Sequence, residues 1–128
     1  ADRKGVSMVL KALHRGEMVG VLPDQVPNDE GGVFANFFGE QALTMTLVSK
    51  LVARSQARVF CGFVVRLPKS GGFKLTIREA DKSIYDEDLI TSVSGLNKSV
   101  ENCVLTAVEQ YQWEYKRFRR QSDGEKFY

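Results

Sequence analysis

The sequence is poor in the residues that most often announce a chemistry. It has one histidine and two cysteines in 128 residues, and no Cys-x-x-Cys. A single histidine rules out a His-His zinc pair built within this chain. Two cysteines in apolar contexts, Cys61 and Cys103, fit buried free thiols better than a disulfide framework. There is no Gly-x-Ser-x-Gly turn for a serine nucleophile, and "KSGG" is too short to cradle a phosphate. No apolar run approaches the roughly 18 residues that a membrane span needs. Neither sign of charge dominates, the net charge being +2, so bulk charge does not mark a nucleic-acid binder. No cofactor and no metal site are expected.

What is present is an ordinary globular composition, 43% hydrophobic and 27% charged, in one domain's length. Val6, Val9, Leu10 and Leu13 recur at helical spacing and predict a helix over residues 4–15, ended by Gly16 in a left-handed conformation. His14, at the end of that helix, reads as a solvated or helix-terminal side chain rather than a catalytic base. The short apolar run "MVGVL", residues 18–22, predicts a strand buried on both faces. "VFANFFG" reads as extended or irregular, and residues 44–53 read as a second helix. "RVFCGFVVRL" and "FKLTIREA", joined by "PKSGG", predict an antiparallel hairpin; Phe73, Leu75 and Ile77 share one of its faces. Residues 86–111 predict a long helix, with "DED" suited to its N-terminus. The order α-β-α-β-β-α predicts an α/β unit with a mixed sheet flanked by helices, the hairpin forming an antiparallel edge.

Two stretches hold the candidate site. Asp24 and Gln25 follow the predicted buried strand and Pro23. Pro-Asp is common turn chemistry, yet ligands of open α/β sheets bind beyond the carboxyl ends of strands, so both readings stand. The second stretch is "EQYQWEYKRFRR", residues 109–120, where Lys116, Arg117, Arg119 and Arg120 interleave with Trp113, Tyr115 and Phe118. The residues alone leave open a solvated helix end, a surface for phosphates or anionic lipid headgroups, or a site for single-stranded nucleic acid.

"DRKGVSMVLKALHRGEMVGVLPDQ", "GGVFANFFGEQALTMTLVSKLVARSQARV" and "EQYQWEYKRFRR", in that order, resemble the C-terminal half of a lipid A biosynthesis acyltransferase of the lauroyl-transferring type. That family lies within the lysophospholipid/glycerol-3-phosphate acyltransferase superfamily. The resemblance runs from Asp2 to about Arg120. It implies transfer of a fatty acyl chain from acyl carrier protein to a Kdo-bearing, phosphorylated lipid A precursor, at the cytoplasmic face of the bacterial inner membrane, with no nucleic acid involved. It implies a C-terminal half of a glycerol-3-phosphate acyltransferase-like fold, residues 1–112 forming an ordered core and 113–128 a basic-aromatic tail. It places Asp24 and Gln25 at the superfamily's third motif, near the acceptor, although an arginine usual there is replaced by Gln25-Val26. The fourth motif's prolines are absent from "VFCGFVVR". Glu109, Gln110, Trp113 and Arg117 join Asp24 and Gln25 as substrate-binding candidates, and Lys116, Arg119 and Arg120 form a membrane or phosphate surface. The family's base is a His-x4-Asp/Glu histidine. His14 plus five is Val19, so His14 is not that residue, and no catalytic residue is expected in this chain. The base and a membrane anchor are expected upstream, and the start at Ala1 instead of Met agrees with a piece of a longer protein. The alternative is a non-enzymatic α/β module that binds anionic lipid or nucleic acid through its basic-aromatic end.

Overall fold

The computed structural model describes residues 3–124 and 128. The first helix, α1 (Arg3–His14), ends as predicted. Gly16 sits at φ +78°, its N–H donates to Leu13 O, and the Glu17 N–H donates to Ala12 O. These two bonds satisfy carbonyls that the last helical turn leaves without partners.

Residues 18–22 are not a strand. They are irregular, with Met18 100% exposed, and no strand among the described residues pairs with them. Buried strands are stabilised by neighbours in register, and an apolar composition cannot supply these. Only Val21 of this run packs against a core cluster.

The next element is a hairpin that the sequence reading half missed. Strand β1 (Gly32–Phe37) pairs antiparallel with β2 (Glu40–Met45). Phe38 (φ 52°) and Gly39 (φ 89°) make the connection, both in the left-handed region that tight hairpin turns require. A phenylalanine is a poor occupant of that conformation. It is held by its N–H donating to Glu101 Oε1 (2.6 Å) and by its ring lying edge-on to Phe37. Because Thr44 and Met45 belong to β2, helix α2 (Leu47–Ser55) starts later than predicted. Ala42, Leu43 and Thr44 are buried in succession, so β2 lacks the alternation that would have revealed it.

Strands β3 (Phe60–Arg66) and β4 (Phe73–Glu79) form the predicted antiparallel hairpin. The α/β class holds, but the strands form two separate two-stranded antiparallel sheets where one mixed sheet was expected. Helix α3 (Leu89–Val104) opens at Asp88, whose carboxylate accepts from the Thr91 N–H at 2.8 Å. It stops seven residues before Tyr111, the predicted end. Past Val104 the chain runs through Thr106 and Val108, both poor helix formers, into a 3-10 turn (Val108–Gln110).

Helix α3 is the axis of the core. One face packs with Val48, Val52, Ala80 and Ile84 through Leu96; another packs with Phe37 and Ala42 through Val100 and Val104. The closest approach is at Gly95, where an added Cβ would lie 2.5 Å from Ile84 N. Glycine is required there for lack of room.

Candidate substrate site

The shortened α3 decides where the second candidate stretch goes. Instead of continuing outward as helix, residues 105–117 fold back across the molecule and bring the two candidate stretches together. The Tyr115 hydroxyl accepts from the Val26 N–H at 2.8 Å, joining residues 89 positions apart. The Tyr111 phenol lies near Asp24, and its pKa is pushed up to about 12, by burial first and then by the Asp24 charge. Both effects disfavour a phenolate, so Tyr111 keeps its O–H proton beside the carboxylate. Asp24 is half-buried and Gln25 exposed.

Arg117 is the best-fixed residue of the cluster and the one whose setting was least expected. It is 3% exposed. Its Nη1 donates to Leu43 O (2.7 Å) and its Nη2 to Thr44 Oγ1 (2.8 Å), and its guanidinium lies 5.3 Å over the Phe37 ring. Thr44 Oγ1 also accepts from Asn97 Nδ2 (3.0 Å), which donates as well to Asn36 O (2.9 Å). The network clamps the C-terminal segment to β1, β2 and α3. Burial pulls the Arg117 pKa down, while Tyr111, Asp24 and Tyr115 favour its charged form. Its Nε is buried with no hydrogen-bond partner among the described residues.

The other candidates are dispersed around this centre. Gln110 accepts from Arg66 N (2.8 Å) and donates to Arg66 O (3.1 Å), so its carboxamide bonds the edge of β3 as another strand would. Trp113 donates to Val108 O (2.8 Å) and packs edge-on against Tyr111. Glu109 is exposed. Lys116, Arg119 and Arg120 are also exposed: Lys116 over the Tyr128 ring, Arg119 over Tyr115, and Arg120 in an ion pair with Asp29. Residues 113–124, read as a tail, lie against β1 and β2 through Arg117 and Phe118; residues 125–127 fall outside the described residues.

A cavity of about 390 Å³ adjoins the cluster, with Asp24, Arg58, Gln110 and Tyr111 among its polar lining and Val21, Leu51, Val65, Leu96 and Val104 among its apolar lining. His14 is exposed at the end of α1, its Nε2 3.3 Å from Arg54 O. Cys61 and Cys103 are free thiols that face each other, and burial pushes the pKa of both up. Among the described residues no group of three or more His, Cys, Asp or Glu could hold a metal ion, and no helix is long and apolar enough to cross a membrane.

Sequence reasoning passed over Tyr111 as a helix-core residue and Tyr115 as part of an aromatic surface. Their signal was membership of the same "EQYQWEY" run, which was read for its charges.

Fold and site define an α/β unit with a polar cluster set beside an apolar cavity. The chain belongs to the bacterial lipid A biosynthesis acyltransferase family, whose model matches residues 1–120. It is 32% identical over 124 residues to the lipid A biosynthesis lauroyltransferase of Escherichia coli strain K12, covering 96% of this chain and 40% of that protein. It is 30% identical over 128 residues to a lipid A biosynthesis acyltransferase of Haemophilus influenzae, covering 100% and 40%. It is also 30% identical over 124 residues to the E. coli lipid A biosynthesis palmitoleoyltransferase, covering 96% and 40%. The chain thus spans about two fifths of the length of the curated relatives it matches.

Proposed function

We propose that this chain forms the acceptor side of an enzyme that transfers a fatty acyl chain from acyl carrier protein to a hydroxyacyl group of a phosphorylated lipid A precursor. The enzyme works at the cytoplasmic face of the bacterial inner membrane. One observation carries the reading: two of the stretches on which the family resemblance was read come together, with Asp24 near Tyr111 and the neighbouring Val26 N–H donating to the Tyr115 hydroxyl 89 positions away. A carboxylate set beside a buried phenol can orient a polar acceptor group. The exposed cations Lys116 and Arg119 supply attraction for phosphates and anionic headgroups, each worth about 1 kcal/mol near such a surface, and Arg120 adds less because Asp29 pairs with it.

No residue of this chain stands in for the family's histidine base, so these 128 residues by themselves do not turn over. A positioned base supplies about 10²–10⁴-fold in rate. The test is acyl transfer from acyl carrier protein to a lipid A precursor by the complete translated polypeptide. Asp24→Asn should lower the rate by about 10²-fold or more while Tm stays within about 2 °C. A variant with full activity would remove Asp24 from the site, and unaltered turnover by the 128-residue chain would refute the division of labour.

A further inference from the structure

The β3–β4 hairpin covers one of its faces and bares the other. Cys61, Phe63 and Val65 point to one side, where Cys61 meets Cys103 of α3 and Arg78 Nη1 bonds Asn102 O. On the other side the register sets Phe60, Gly62, Val64 and Arg66 opposite Glu79, Ile77, Leu75 and Phe73. That side exposes five large apolar side chains: Phe60 51%, Val64 55%, Phe73 67%, Leu75 61% and Ile77 62%. A strand that is apolar on both sides is the kind that lies inside a sheet with both faces covered. Scattered apolar residues on a surface are normal, but a contiguous strip of five is an interaction site.

The same strand has an open edge. β3 pairs only with β4 among the described residues, and the Gln110 carboxamide closes the far edge at Arg66 alone. The segment over residues 18–22, apolar and without a strand partner, lines through Val19, Val21 and Leu22 the same cavity as β3. Bare face, open edge and unpartnered apolar segment are three faults of one kind, and one occupant would repair them together. The relatives identify it by length, because this chain accounts for only 40% of each of those compared.

We propose that the Phe60/Val64/Phe73/Leu75/Ile77 face and the adjoining edge of β3 form an intramolecular interface, covered by the part of the acyltransferase polypeptide that lies outside these 128 residues. A lipid surface fits the strip less well. Its two arginines lie flat along it, Arg58 over Phe60 and Arg66 over Phe73, and Arg58 is also paired with Glu79. With Arg58 neutralised by Glu79, the strip keeps one cation without an ion-pair partner among the described residues, Arg66, too few to hold it to an anionic membrane. The inference rests on family membership and not on the proposed reaction, and its test does not read activity.

The experiment compares Leu75→Glu in the 128-residue chain and in the complete translated polypeptide, with Lys74→Glu as control. In the short chain Leu75 is open to water, so Tm should stay within about 2 °C. In the complete polypeptide the same charge is buried, and Tm should fall by about 5 °C or more, or soluble protein be lost. The control should be nearly neutral in both. If the long variant does not accumulate, an apolar dye gives an independent reading on the unaltered proteins: anilinonaphthalene sulfonate fluoresces with the short chain, less so with its Leu75→Glu variant, and not with the complete polypeptide. Equal shifts in both lengths, large or small, overturn the proposal. So does a short-chain dimer that Leu75→Glu dissociates while the complete polypeptide is unaffected, which would assign the face to a second copy. Loss of sedimentation with phosphatidylglycerol vesicles, without a Tm difference, would assign it to lipid.

Discussion

The two hairpins are built alike and set in opposite environments. Both are antiparallel pairs of six or seven residues per strand joined through left-handed turn residues. The first is sealed, with Ala35, Phe37, Ala42, Leu43 and Thr44 all buried between α3 and the returning C-terminal segment. The second has the stronger strand composition, yet most of its large apolar side chains face solvent. Burial therefore follows from what the rest of the chain brings to a strand, more than from the strand's own residues. The first hairpin is covered because residue 117 comes back to it; nothing among the described residues returns to the outer face of the second.

The sharpest way to break this comparison is to truncate one aromatic ring in each hairpin of the 128-residue chain. Phe37→Ala removes a fully buried ring from a packed cluster and should cost about 3–5 kcal/mol. Phe73→Ala removes an exposed ring and should stay within about 0.5 kcal/mol. Urea unfolding measures both, and similar losses would mean that the second hairpin is also covered.

A smaller effect should separate two arginines that sit two positions apart. Arg117→Met keeps the volume but strips two hydrogen bonds from the first hairpin, leaving Leu43 O and Thr44 underbonded at a cost of about 2–3 kcal/mol. Arg119→Met touches only an exposed ring contact and should be nearly silent. Equal, small losses would show that the clamp on the first hairpin contributes nothing.

The smallest expected change is a matter of pH and lies where the second hairpin joins α3. Asp81 accepts from the Ser83 hydroxyl and N–H and pairs with Lys98, and these contacts, the Ser83 hydroxyl first, lower its pKa to about 2. A carboxylate depressed below its unfolded value of about 3.9 stabilises the fold fully above that pH. The stabilisation is lost as pH falls through about 2. The Asp81→Asn variant should therefore show a flatter acid limb of stability between about pH 4 and 2 than the unaltered chain. Parallel acid limbs would remove Asp81 from the account.

Local features of this fold were legible in the sequence. The end of α1 at Gly16, the start of α3 at Asp88 and the register face of Phe73, Leu75 and Ile77 all depend on residues within a few positions of each other. What could not be read depends on distant partners. β2 escaped because burial of three successive residues erased its alternation, and only its last two residues, Thr44 and Met45, fell in the predicted helix; its partner β1 read as extended or irregular. Residues 18–22 looked like a buried strand because composition records suitability for pairing without recording a partner. At the site, Asp24 and the stretch over residues 109–120 were each singled out, but their meeting required α3 to stop at Val104, and the weak helix formers that end it were outweighed by apolar spacing. The burial of Arg117 left no local trace, since its acceptors lie 73 and 74 positions away.

That distance has a consequence for how the molecule is made. Leu43 leaves the peptidyl-transfer centre 74 residues before the guanidinium that bonds its carbonyl. At a synthesis rate of about 5–20 residues per second, the first hairpin waits roughly 4–15 s for its clasp. Throughout that interval the nascent hairpin lacks the segment that seals it, so its closure waits on the synthesis of residue 117.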